Sequence, residues 1–183
     1  YDSNEILEAK VLTGKSGYDL VFPSLSNLGR QIRAGAYLPL DKTKIPNYQN
    51  IDPVLLRLLD KVDPGNKYAV PYFWGFYTVG INPEKVKKAL GTDQLPDNAW
   101  DLVFNPEYTQ KLKSCGISFL DSPTSVFPLA LSYVGKDPNS NSAEDLKLAA
   151  EMMGKVVSDV KRFSSSGYIN DFAQGDLCVG IGY

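Results

Sequence analysis

Apolar residues near the start of the chain follow two different spacings. In residues 4–13 they recur at helical spacing, with Ser3 before them as an N-cap and Gly14 after them as a helix stop. The next apolar segment, Tyr18–Phe22, is short and continuous and is ended by Pro23, which is typical of a buried parallel strand. A helix followed by such a strand predicts an α/β domain.

The same two patterns predict elements along the rest of the chain. Helices are predicted from Ser24 or Ser26 to Ala34, and at Val54–Val62, Pro83–Leu90, Trp100–Phe104, Pro106–Lys113, from Pro123 to Gly135, Ala143–Val160 and Tyr168–Gln174. Extended segments are predicted at Tyr68–Trp74, Phe76–Ile81, Ile117–Leu120 and Leu177–Tyr183. The first two change direction near Gly75, which separates them. Ligands of α/β folds gather at the carboxyl ends of strands, so residues that follow strands are the candidates for a site.

Composition removes several classes of function. The 183 residues include no histidine, which excludes Ser-His-Asp, Cys-His and HExxH chemistry. Neither GxGxxG nor GxxxxGKS/T occurs as a phosphate-binding loop. The 19 basic and 21 acidic residues are spread along the chain, so no basic stripe is available for nucleic acid, and no apolar run has the length of a membrane span. We therefore expect no catalytic residues, metal site, cofactor, nucleic-acid partner or membrane span.

Two cysteines, Cys115 and Cys178, stand 63 positions apart and form no metal-binding pattern. Their spacing alone leaves two interpretations open, a single disulfide or two buried thiols.

Nine short segments occur in order across nearly all of the chain. They are Tyr1–Glu5, Gly17–Val21, Pro23–Ser24, Leu40–Lys42, Val70–Tyr72, Trp100–Leu102, Ser118–Pro123, Tyr168–Asp171 and Gly175–Val179. Together they closely resemble the putrescine- and spermidine-binding proteins of bacterial polyamine importers.

The resemblance implies a two-lobed α/β periplasmic binding protein of type II that closes over its ligand. Proteins of this family are about twice as long, so the chain is expected to be an incomplete segment. Residues 1–70 would form part of the first lobe, residues 71–81 a hinge crossing, and residues 82–183 most of the second lobe. The implied partners are a polyamine and the permease subunits of an ABC transporter, and the implied location is the periplasm.

A polyamine site needs carboxylates at the spacing of the ammonium groups and aromatic faces along the methylenes. By resemblance, Ser24 matches a position that contacts ligand, although an N-cap serine explains it equally well. Tyr183 matches a position where the family places an aromatic residue in the pocket. Further strongly acidic and aromatic positions of the family fall after Tyr183.

The chain departs from the family pattern at Ser125, where a glutamate usually pairs with a terminal ammonium. Thr124 and Ser125 offer hydroxyl groups without charge, and the nearby Asp121 is a candidate replacement for the carboxylate. Losing one charge-assisted contact weakens amine binding by about 1.5–3 kcal/mol. Cys115 and Cys178 match family cysteines on adjacent strands, so the resemblance favours a disulfide, as expected in an oxidising periplasm.

Three alternatives remain beside polyamine transport. The ligand could be another small cation, an amino acid or a peptide, as the uncharged Ser125 suggests. The protein could be a sensor without a role in transport. An enzyme with a Ser/Lys pair is the third, although no pattern in the sequence places a lysine beside a nucleophilic serine.

Overall fold

The computed structural model describes residues 3–183 and divides at Gly75 into two compact units. Unit 1 runs through Gly75, and unit 2 is Phe76–Tyr183. The lobe and hinge boundaries implied by the resemblance, 1–70, 71–81 and 82–183, stay a prediction. Among residues 3–183, no helix combines the length and the apolar character needed to cross a membrane.

Unit 1 is helical. Its helices are α1 (Asn4–Leu12), α2 (Leu25–Arg33) and α3 (Pro53–Asp60), with short 3-10 turns at Lys42–Lys44 and Pro46–Asn50. Ser3 begins α1 as predicted, because its hydroxyl accepts the Ile6 N–H.

Helices α1 and α2 are joined through Glu8. Its carboxylate accepts from Asn27 at 2.9 Å and from Arg30 at 3.1 Å. Partial burial raises the pKa of Glu8, but the hydrogen bonds from Asn27 and Arg30 outweigh burial and leave the pKa below its usual value. Leu7 and Leu28 are buried in the same unit.

The predicted strand at Tyr18–Phe22 is wrong. This segment is irregular, Leu20 is 74% exposed, and residues 3–75 form no strand with which it could pair. A strand needs a neighbour for its backbone N–H and C=O groups, and an apolar segment does not supply one by itself.

Unit 2 is built on a four-stranded mixed sheet with the order β1-β4-β2-β3. The strands are β1 (Thr78–Ile81), β2 (Ile117–Phe119), β3 (Arg162–Phe163) and β4 (Val179–Gly182). β2 runs parallel to β3 and β4, whereas β1 is antiparallel to β4, with Thr78 opposite Gly182. Ser118 is buried as fully as its neighbours Ile117 and Phe119, so both faces of β2 are covered.

Six helices complete unit 2. They are α4 (Pro83–Leu90), α5 (Asp101–Phe104), α6 (Pro106–Leu112), α7 (Pro123–Tyr133), α8 (Ala143–Val156) and α9 (Tyr168–Gln174), with a 3-10 turn at Val157–Asp159 after α8. The core combines apolar residues of the sheet, such as Phe119 and Ile181, with helix residues such as Phe104 and Leu131.

The start of α8 has the sequence spacing of a capping box, with Asp145 three residues after Ser142, but the Ser142 side chain caps no backbone N–H. Instead Asp145 accepts from the Ser140 hydroxyl at 2.7 Å and lies 3.0 Å from the Lys136 ammonium. The hydrogen bond from Ser140, followed by the contact with Lys136, lowers the pKa of Asp145.

Cys115 and Cys178 form a disulfide, with their Cα atoms 5.5 Å apart. Cys115 lies just before β2 and Cys178 just before β4, and these strands are parallel neighbours. The pairing implied by the resemblance is therefore confirmed, and it ties together the amino ends of the two central strands.

Removing this disulfide is expected to lower the free energy of unfolding by about 4 kcal/mol, because the bond closes a loop of 63 residues in the unfolded chain. Urea unfolding with and without reductant measures the change. A Cys115→Ala/Cys178→Ala variant serves as the control, since reductant should leave its unfolding curve unchanged. Free thiols in protein purified without reductant would contradict the assignment.

Candidate functional site

One edge of the sheet in unit 2 collects residues from three separate parts of the chain. Because β2, β3 and β4 run in the same direction, their carboxyl ends lie along one edge. Asp121 and Ser122 follow β2, and Tyr183 follows β4. Tyr77 comes directly before β1, which starts at this edge because it is antiparallel to β4. We call Tyr77, Ser122, Thr124, Ser125 and Tyr183 the edge cluster.

Four hydroxyl groups of the edge cluster form a chain of hydrogen bonds. Tyr77 donates to the Ser125 Oγ at 3.0 Å, and Ser125 donates to the Ser122 Oγ at 3.1 Å. The Ser122 Oγ lies 3.1 Å from the Thr124 Oγ1. Ser122 and Ser125 are each 4% exposed, whereas Thr124 is exposed. This chain of hydrogen bonds therefore leads from buried hydroxyl groups to a hydroxyl group at the protein surface.

The chain of hydrogen bonds depends on how α7 begins. Ser122 is the N-cap residue and Pro123 takes the first helical position, where its missing N–H costs no hydrogen bond. The Ser125 N–H donates to the Ser122 carbonyl at 3.0 Å, so the two serines share the first helical turn. The Ser122 side chain does not cap the helix, which leaves its hydroxyl for the serine and threonine hydroxyls nearby.

Two tyrosine rings complete the edge cluster. The ring centroids of Tyr77 and Tyr183 are 5.4 Å apart, with 42° between the ring planes. Tyr183 is 60% exposed as a whole residue, and its backbone N–H donates to the Tyr168 hydroxyl at 3.1 Å. The backbone of Tyr183 is thus held by α9.

The backbone before Tyr183 is glycine for a steric reason. A Cβ atom on Gly182 would lie 2.7 Å from the Tyr168 ring, closer than a Cβ atom of a folded protein approaches another atom. The same ring borders an open pocket of about 270 Å³ beside Tyr183. The pocket is lined by Thr78, Gly80, Ile81, Tyr168, Phe172, Gly180, Gly182 and Tyr183.

The structure brings together three of the five ligand residues expected from sequence. Tyr183, Thr124 and Ser125 all belong to the edge cluster, and Asp121 is exposed immediately before Ser122. Ser24 lies in unit 1.

Ser24 has a structural role in unit 1. It is the N-cap residue of α2, but its hydroxyl accepts from the Asn4 amide at 2.8 Å and makes no bond to the helix backbone. The Ser24 N–H in turn donates to the Asn4 Oδ1 at 2.8 Å. Of the two serines predicted as the N-cap, Ser24 takes the position without capping the helix through its side chain, and the reciprocal pair with Asn4 ties α2 to α1.

Sequence reasoning missed Tyr77, Ser122 and Tyr168 as members or supports of this site. Tyr77 was predicted only as part of an extended segment, and its contact with Ser125 spans 48 positions of the chain. Ser122 was covered only by the segment Ser118–Pro123 of the resemblance. A search for polar or aromatic residues at the start as well as at the end of every predicted strand would have found Tyr77.

Chemically, the edge cluster offers aromatic faces and hydroxyl groups. An exposed tyrosine ring attracts a cation to its face and packs against methylene groups beside it. The carboxylate closest to the cluster in sequence is that of Asp121. The arrangement fits an extended, apolar chain that ends in a cationic group.

Comparison with known proteins decides the family. The family model described as bacterial extracellular solute-binding protein matches residues 2–183. The chain belongs to this family of solute-binding proteins.

Individual relatives agree with the family match. The chain is 54% identical over 183 residues to the putrescine-binding periplasmic protein SpuD of Pseudomonas aeruginosa, strain UCBPP-PA14. It is 50% identical over 184 residues to the putrescine-binding periplasmic protein PotF of Escherichia coli K12. Each match covers 100% of this chain and 50% of the relative, so the chain spans about half the length of these relatives. The resemblance to polyamine-binding proteins is confirmed.

Solved structures confirm the expected fold class, that of part of a two-lobed α/β binding protein. The Tp0655 (TpPotD) lipoprotein of Treponema pallidum superposes with a TM-score of 0.80 at 30% identity, over 100% of this chain and 54% of its own. The spermidine/putrescine substrate-binding protein PotD of Streptococcus pneumoniae superposes with a TM-score of 0.69 at 27% identity. That match covers 99% of this chain and 52% of the other.

The Gly182→Ala substitution is expected to lower the free energy of unfolding by about 1–3 kcal/mol, because the added methyl group overlaps the buried ring of Tyr168. Gly154→Ala is the matched control. Gly154 lies in α8 with nothing within 4 Å of an added Cβ, so alanine there should stabilise by about 0.5–1 kcal/mol. Urea unfolding compares the two variants, and equal stabilities would contradict the close approach of Tyr168 to β4.

Proposed function

We propose that the protein containing this chain captures putrescine- or spermidine-like polyamines outside the cytoplasm and delivers them to an ABC importer. The observation that carries the proposal is the 54% and 50% identity, over the whole of this chain, to two putrescine-binding periplasmic proteins. The periplasm is the proposed location, and the permease subunits of the transporter are the proposed protein partners.

The edge cluster supports this ligand class by its chemistry. A polyamine is a run of methylenes between ammonium groups, and the exposed face of Tyr183 suits both parts. The Thr124 hydroxyl can accept a hydrogen bond from an ammonium, and Asp121 can supply a negative charge. We propose these three residues as the ligand contacts of unit 2. Ser125 remains a proposed member of the site, and Ser24 of unit 1 is proposed from the resemblance alone.

Catalysis is not part of the proposal. The edge cluster hydroxyls of Tyr77, Ser122 and Ser125 bond to one another, and the chain has no histidine to activate a serine. Members of the matched family are solute-binding proteins.

A second ligand class has one observation in its favour. The hydroxyl chain from Tyr77 to Ser122 occupies the start of α7 with uncharged groups. A ligand with a single positive charge, such as an amino acid or another small cation, would require fewer carboxylates than a diamine.

The test is calorimetry on the protein expressed from its complete gene, titrated with putrescine and spermidine. γ-Aminobutyrate and butylamine serve as comparison ligands, because each lacks one of the two ammonium groups of putrescine. We expect putrescine or spermidine to bind at least about tenfold more tightly than either, since a second charge-assisted contact contributes about 1.5–3 kcal/mol. Tighter binding of γ-aminobutyrate or butylamine would favour the second ligand class, and no polyamine binding would refute the proposal.

Tyr183→Ala is expected to weaken polyamine binding by roughly tenfold, through loss of the aromatic face that packs on methylenes and attracts the ammonium. Tyr183→Phe is the matched control, because it keeps the ring and should bind within about twofold of the unmodified protein. Calorimetry with putrescine measures both variants. Equal losses in the two would show that the hydroxyl of Tyr183, not its ring, serves the ligand.

A further inference from the structure

Ser125 is poorly placed to touch a ligand. Its side chain is 4% exposed, and its hydroxyl already accepts from Tyr77 and donates to Ser122. A serine hydroxyl carries one proton, so the bond to Ser122 leaves none for a ligand. Only one buried lone pair remains, and an ammonium would have to lose its water to reach it.

Tyr77 is placed to act on Tyr183. It directly precedes Thr78, which pairs with Gly182 across the antiparallel β1–β4 pair, so the two tyrosines lie just outside the paired residues of neighbouring strands, at the same edge. Their rings are in contact at 5.4 Å between centroids. Tyr77 is half-buried and is fixed at its far end by the hydrogen bond to Ser125, whereas Tyr183 is 60% exposed.

A ring as exposed as that of Tyr183 gains from a neighbour that limits its rotation. A side chain that becomes immobile on binding loses rotational freedom and so weakens affinity, and a ring that is already held avoids part of this loss. The backbone of Tyr183 is held by Tyr168 through its N–H, and Gly182 before it has no side chain to contribute. The ring of Tyr77 contacts the ring of Tyr183 directly.

We propose that Tyr77 is a positioning residue for the ligand-binding ring of Tyr183, and that Ser125 acts on ligand binding through Tyr77 without touching the ligand. This inference rests on the proposed function. In this arrangement the hydrogen bond to Ser125 fixes the Tyr77 ring, and the Tyr77 ring in turn orients the ring of Tyr183.

The experiment is a double-mutant cycle of Tyr77→Phe and Ser125→Ala, with putrescine affinity measured by calorimetry on the protein expressed from its complete gene. Both single changes delete the same hydrogen bond, so each should weaken binding by about threefold to tenfold. The double variant should bind no more weakly than either single variant.

Two controls match the chemistry of these changes outside the edge cluster. Tyr133→Phe removes a tyrosine hydroxyl that donates to Asp101 at 2.6 Å, and Ser132→Ala removes an exposed hydroxyl from α7 itself. Both should leave putrescine affinity within about twofold of the unmodified protein, whatever they do to stability.

Two outcomes of the cycle would overturn the inference. If Ser125→Ala weakens putrescine binding by the same factor in the unmodified protein and in the Tyr77→Phe variant, Ser125 contacts the ligand directly. If neither single variant changes affinity, the hydrogen bond positions nothing that the ligand uses.

A ligand-free measurement separates failure of this inference from failure of the proposed function. In protein with ¹³C-labelled tyrosine, the Tyr183 ring signal is identified by its absence in Tyr183→Phe. Ser125→Ala should move that signal toward the position of a freely rotating tyrosine, and Ser132→Ala should not. If the unmodified protein binds no polyamine, the proposed function fails and this signal alone decides the role of Tyr77. An unchanged Tyr183 signal in Ser125→Ala would overturn that role.

Discussion

The antiparallel pairing of β1 with β4 is the constraint on which the candidate site depends. The register that sets Thr78 opposite Gly182 places the residues just outside this pair, Tyr77 and Tyr183, side by side at one edge of the sheet. Parallel pairing of β2 with β4 then brings the start of α7 to the same edge. Hydroxyl groups from α7 meet the phenol of Tyr77 there because both pairings hold at once.

The other features of unit 2 support these two pairings. The disulfide joins the residues just before β2 and β4, and so fixes the amino ends of the strands whose carboxyl ends carry the site. Gly182 allows Tyr168 to approach β4 closely enough to bond the backbone of Tyr183. The site is therefore held by backbone pairing and covalent bonding, while the ring that faces solvent is held by side-chain contacts.

Elements encoded by local signals were predictable from sequence. Helix α4 begins at Asn82-Pro83 and α6 at Asn105-Pro106, where the asparagine side chain accepts a backbone N–H and proline fixes the first turn. Elements that depend on distant partners were not. Tyr18–Phe22 has the composition of a strand but no strand in residues 3–75 beside it, and β3 is two residues long and carries no pattern of its own.

The residues of the candidate site were likewise predictable from sequence only in part. Motif resemblance pointed to Tyr183 and Ser125, which the structure groups with Thr124, and to Ser24, which lies in unit 1. The resemblance could not reveal that Ser125 is buried or that its hydroxyl accepts from Tyr77, a residue 48 positions earlier. Nor could it find Tyr77 itself, since its place in the site follows from a strand register that no short segment encodes.

The most direct measurement is a crystal structure of the protein expressed from its complete gene, with putrescine bound. We predict ligand methylenes within about 4 Å of the Tyr183 ring, at the carboxyl edge of β2 and β4, with the Tyr77–Ser125 hydrogen bond intact. Putrescine bound away from this edge, or an ammonium bonded directly to the Ser125 hydroxyl, would contradict it.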